Sequence, residues 1–183
     1  MQLTAAFKTA ISQLSGTEKD KLLFRLLKKD PDLCNRLQFE LVEQGDTLRQ
    51  RREAVEKEIN KLAKYEPYSP GYLMMDMRSL NGLITRHVKY TKDKEGEIQL
   101  TLLLLRTALE KHLDFIIAYL YRADTLQDYL VKRMQFVLQK LAKLHEDLYV
   151  EYEADVNYVL QQLHSKVAIL QAQKAKLPKT WPA

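Results

Sequence analysis

Apolar residues recur at helical spacing from one end of the chain to the other. Leu3, Phe7, Ala10, Ile11 and Leu14 share one face of a helix over residues 3–14, closed by Ser15 and Gly16. Thr17 caps a second helix, TEKDKLLFRLLKK, whose Glu18 and Asp20 suit its positive first turn. Asp30 and Pro31 open a third, an N-cap followed by proline at the first helical position, which runs to Gly45. The fourth, TLRQRREAVEKEINKLAK, is mostly polar. Its thin stripe of Leu48, Val55, Ile59 and Leu62 predicts a helix at the periphery. Residues 65–69 are the clearest linker, and Ser69 with Pro70 caps a fifth helix reaching about residue 90.

Residues 100–121, LTLLLLRTALEKHLDFIIAYLY, are the most apolar stretch. A membrane span needs about 20 apolar residues almost free of charge. Here Arg106, Glu110, Lys111, His112 and Asp114 fall in the middle, so no bilayer is crossed. On a helical wheel Leu102, Leu105, Leu109, Leu113, Ile116 and Leu120 make one stripe, widened by Leu104, Ala108, Phe115 and Tyr119. That exceeds the roughly 100° arc of a surface helix and calls for neighbours on at least two sides. A central helix over 98–122 follows, preceded by a polar loop at 91–97. From Thr125 to Lys176 there is neither glycine nor proline. One break is expected, near His145–Asp147, where side chains can cap.

These elements predict an all-α fold of seven to eight helices, a single-domain bundle or a short helical-repeat-like stack. Residues 1–176 make one domain, divisible into 1–64 and 70–176 about the linker, and 177–183 form a tail. Composition agrees: glycine and proline number five each, which leaves little for the turns of a strand-rich fold.

The net charge of +5, from 29 basic and 24 acidic residues, is spread without a basic arm or acidic tail. A dedicated nucleic-acid binder concentrates its charge more. Cys34 is the only cysteine and is expected to be a small buried hydrophobe. With no intramolecular disulfide and no charged leader ahead of an apolar run, the expected setting is cytoplasmic.

Catalytic and metal-binding patterns do not emerge. The residues three before His87, His112, His145 and His164 are Ile84, Leu109, Ala142 and Gln161, so no Glu-x-x-His pair exists for a di-iron bundle. One thiol cannot build a cysteine zinc site, and phosphate-binding glycine loops and nucleophile elbows are missing. No cofactor, metal ligand or catalytic residue is assigned. His112 reads as a hydrogen-bonded core histidine and Glu146, Glu151, Glu153 and Asp155 as a solvated helix face. The ten tyrosines read as amphipathic packing groups.

The fifth helix carries the one notable constellation. Leu73, Met77, Leu80, Ile84 and Val88 face inward, while Arg78, Gly82, Arg86 and Lys89 lie on the other side and Lys92 and Lys94 follow. A glycine inside an exposed helix costs about 1 kcal/mol against alanine and leaves the backbone bare for a ligand or partner. The expected function is a non-enzymatic interaction or scaffold module that binds a protein or peptide in a groove between helices. The alternatives are a nucleic-acid or anionic-ligand binder using that basic face, or an enzyme of unrecognised type. A homo-oligomer is compatible with either binding role; a membrane partner is not expected.

Overall fold

The computed structural model describes residues 3–182. It is all-α: ten α-helices joined by short 3-10 and π turns, with no strand among the described residues. Eight of the ten have seven residues or more, in line with the seven to eight expected. The chain divides into two compact units, one ending at Asp46 and one beginning at Thr47.

The first unit holds α1 (Ala5–Gln13), α2 (Gly16–Lys29) and α3 (Pro31–Leu37), which runs on into a π turn, Gln38–Val42. Its helices are strongly capped. Ser15 and Glu18 form a reciprocal capping box at α2, with the Ser15 amide donating to Glu18 Oε2 at 2.8 Å. Asp30 accepts from the Leu33 amide at 3.0 Å ahead of Pro31. Yet Phe39 is the only buried hydrophobic residue described before Asp46. Cys34 is exposed, not buried as expected, because it falls on the outer side of the short α3.

The second unit is built around α6 (Lys94–Lys111), flanked by α4 (Leu48–Lys61), α5 (Pro70–Thr91), α8 (Asp124–Leu141) and α9 (Val150–Gln162). Ile98, Leu100, Leu102, Leu104, Leu105, Ala108 and Leu109 are all buried, so α6 is enclosed on several sides as its wide apolar arc requires. The expected helix 98–122 is not continuous. It starts four residues early, at Lys94, and breaks at His112 (φ −121°, ψ 17°) before α7 (Leu113–Ala118). No glycine or proline marks that break. The His112 ring is buried and its Nε2–H donates to the Leu62 carbonyl at 2.8 Å, a tertiary bond that the local pattern cannot announce.

The glycine-free stretch breaks twice. The first interruption follows α8, at a 3-10 turn over Glu146–Leu148, where one was expected. The second is a π turn over Leu163–Val167 ahead of α10 (Ile169–Lys174). The segment read as a tail is docked: Leu177 and Trp181 are buried in the core. Asn157 on α9 donates to the Trp181 carbonyl at 2.7 Å and accepts from its amide at 2.8 Å. No helix described is long and apolar enough to cross a membrane.

Candidate functional site

Helix α5 is cut out by its caps. Ser69 Oγ accepts from the Tyr72 amide at 3.3 Å, Pro70 fixes the first turn, and Lys92 ends the helix in the left-handed region at φ 61°. Leu73, Met77 and Ile84 are buried with His87, which leaves Arg78, Arg86 and Lys89 on the exposed face, as the periodicity predicts. Gly82 is less bare than expected. A Cβ placed there would meet Nη1 of Arg86 at 3.8 Å, so that guanidinium already lies over the gap. Arg78 leans the other way, its guanidinium 5.7 Å from the Tyr129 ring on α8. Arg78 and Lys92 are about four turns, or roughly 21 Å, apart along the helix. The six residues therefore do not converge on one point.

What the fold does bring together is the loop end of that face and the end of α8. Lys92 and Lys94 share a cleft of about 360 Å³ with Lys140 and Lys143, over an apolar floor of Val88, Ile98 and Leu144. Its one carboxylate, Glu97, is already taken by Lys140 Nζ at 2.5 Å. Nothing in the sequence singled out Lys140 and Lys143, since basic residues late in a helix are ordinary.

The loop that presents Lys92 and Lys94 is pinned by the residue between them. Asp93 is buried, and it accepts from Arg52 Nε (3.0 Å) and Nη2 (2.8 Å), from His87 Nε2 (2.9 Å) and from the Gly96 amide (2.8 Å). Burial pushes its carboxyl up, and the bonds from Arg52, His87 and Gly96 outweigh that, leaving it below its ordinary value. Arg52 also donates to Gln99 Oε1 at 2.6 Å. This network ties α4 and α5 to the start of α6, and it explains how a mostly polar α4 is held there.

The other concentration of chemistry lies around the turn Leu120–Arg122. Phe115 and Tyr119 sit 4.9 Å apart, Tyr119 and Tyr121 stack at 6.4 Å, and the Arg122 guanidinium is 5.3 Å from the Tyr121 ring. On one side Tyr119 and Arg122 face Tyr68, Ser69 and Pro70 across a cavity of about 520 Å³. On the other, Leu120 and Tyr121 face Ile169 and Leu170 across one of about 350 Å³. Tyr68 is 88% exposed, Tyr121 72% and Leu170 65%. Single tyrosines at helical spacing look like packing groups in the sequence. The turn presents Tyr119 and Tyr121, the linker presents Tyr68 opposite Tyr119, and the second break sets Ile169 and Leu170 beside Tyr121.

No family model, curated protein or solved structure matches the chain. Its own geometry must carry the functional reading.

Among the described residues no three histidine, cysteine, aspartate or glutamate side chains gather to hold a metal ion. Of the acidic stretch on α9, Asp155 pairs with Arg106, while Glu151 and Glu153 stand exposed. The buried rings of His87 and His112 are committed to Asp93 and to the Leu62 carbonyl.

Proposed function

We propose that the chain is a non-enzymatic interaction module that takes an apolar segment of a partner protein on the tyrosine-lined surface around Leu120–Arg122. The observation that carries this reading is the pair of grooves flanking that turn, walled by exposed Tyr68, Tyr119, Tyr121, Ile169 and Leu170 with Arg122 beside them. Tyrosine offers broad contact at modest entropic cost, and tyrosine and arginine are both enriched at binding hot spots. Surface apolar groups scattered singly need no explanation, but a contiguous set framing a groove does. The first unit supports the same role. Phe24 on α2 and Leu41 and Val42 in the π turn are more than half exposed despite well-capped helices. A cytoplasmic setting belongs to this proposal, supported by the free, exposed thiol of Cys34.

The test is capture of partners from native extract by the wild type and by Tyr121→Ser/Leu170→Ser. Both positions are exposed, so stability should stay within about 0.5 kcal/mol per site. A partner held there should be lost, since hot-spot residues contribute about 2 kcal/mol or more each. Recovery of the same proteins at the same yield by the double variant would remove this surface from consideration.

A further inference from the structure

We propose that the lysine cleft between the α5–α6 loop and the end of α8 binds the phosphate group of a small organic phosphomonoester, with its apolar part against the floor. The cleft is independent of the tyrosine-lined surface in residues and in chemistry.

Three of its cations are unspent. Lys140 is paired with Glu97 at 2.5 Å, whereas no carboxylate is paired with Lys92, Lys94 or Lys143 among the described residues. Four lysines less one glutamate leave the lining at +3. A phosphomonoester carries about −1.5 to −2 at neutral pH, so it meets that charge better than a single carboxylate does. The recognising groups are all lysines, compact point charges that bind phosphate oxygens through charge, so the dianionic charge of the ligand and not its shape selects it here. The floor gives the ligand a second requirement. Val88 and Leu144 are half-buried and line the cleft above the buried Ile98, so an inorganic ion would leave apolar wall unused. At about 360 Å³ the cleft falls toward the small end of ligand pockets, which run roughly 300–1,000 Å³.

The backbone that carries two of the lysines is held in place. Lys92 and Lys94 flank Asp93, whose carboxylate is fixed by Arg52, His87 and the Gly96 amide. Lys92 closes α5 with its amide on the Val88 carbonyl at 2.9 Å. Little backbone ordering is left for a ligand to impose.

The experiment titrates the full chain with phenyl phosphate, with inorganic phosphate, and with vesicles containing phosphatidic acid, by calorimetry and by amide shifts at residues 88–98 and 140–144. Saturable one-to-one binding of phenyl phosphate is expected, tighter than inorganic phosphate and weakened by salt. Lys143→Glu, and the milder Lys92→Met/Lys143→Met, should each weaken it about tenfold or more, the loss of at least one charged hydrogen bond. Vesicle binding without phenyl phosphate binding, lost in the same variants, would keep the phosphomonoester chemistry and assign it to a lipid headgroup. Absence of binding to every probe overturns the proposal, as does affinity unchanged in both variants. Retention of RNA in place of the small ligands overturns it too.

Discussion

Arg52 and Asp93 stand 41 residues apart in the chain and meet as a fork, Nε on Oδ2 at 3.0 Å and Nη2 on Oδ1 at 2.8 Å. The Asp93 side chain is 4% exposed and that of Arg52 21%. Such a pair is weak evidence for net stability, because both ions lose their water. Breaking it from one side is a different matter, since the remaining charge stays buried.

Arg52→Met should therefore cost about 3–5 kcal/mol. A pH signature accompanies it. The Asp93 carboxyl is lowered in the folded state, so its contribution is complete above the unfolded value of about 3.9 and is lost as pH falls through the folded value. Urea midpoints of the wild type should then drop from about pH 5 downward. Asp93→Asn, less stable at neutral pH, should show a shallower drop. Parallel pH profiles for the two proteins would sink this account of the network.

Two glycines on neighbouring helices should respond in opposite senses to the same change. A Cβ at Gly96 would fall 2.6 Å from Asp93 Cγ and 2.9 Å from Arg52 Nε, against groups that their mutual bonds hold in place. Gly96→Ala should destabilise by about 3 kcal/mol, at the upper end of overpacking costs. At Gly82 the nearest atom is the movable end of Arg86, 3.8 Å away. Gly82→Ala should stabilise by about 0.4–1 kcal/mol through a stiffer unfolded chain. Thermal melts of the two variants decide it; equal shifts of the same sign would contradict the packing described here.

The difference between these glycines marks how far the sequence could be read. Helical spacing, caps such as Ser69-Pro70 and Asp30-Pro31, and the wide arc of α6 depend on near neighbours in the chain, and they were legible. So was the outward face of Arg78, Arg86 and Lys89, because one helix decides it. Convergence across elements was not. Lys143 lies 51 positions after Lys92, and no periodicity joins them. His112, where the central helix breaks, bonds to Leu62, 50 residues earlier. Cys34 beside Leu33 and Leu37 looked buried, yet burial needs a neighbouring element that α3 does not have on that side. Tyr119 and Tyr121 sit at a turn with no glycine or proline to flag it, and no local pattern announces that Tyr68, in the proline-marked linker, comes to face Tyr119.

The docking of the last residues gives the third stability prediction. Asn157 holds the Trp181 backbone by two hydrogen bonds, and the Trp181 ring sits 4.6 Å from that of Tyr149. Trp181 is buried, so Trp181→Ala should cost about 3 kcal/mol, the lower part of the range for large aromatic truncations. Asn157→Ala keeps the ring but leaves the Trp181 amide and carbonyl unpaired, at about 1–3 kcal/mol. The two losses should not add. Once either the ring or the hydrogen bonds are gone, the segment detaches, and the other contact has less left to lose. The double variant should thus fall short of the summed costs by about 0.5 kcal/mol or more, the coupling expected of residues in one network. Urea denaturation of the four proteins supplies the cycle, with deletion of residues 177–183 as a reference for full detachment. A deletion that left the midpoint unchanged would show that Leu177 and Trp181 contribute nothing to the core. Strict additivity would show that ring and hydrogen bonds act as separate contacts, not as one docked segment.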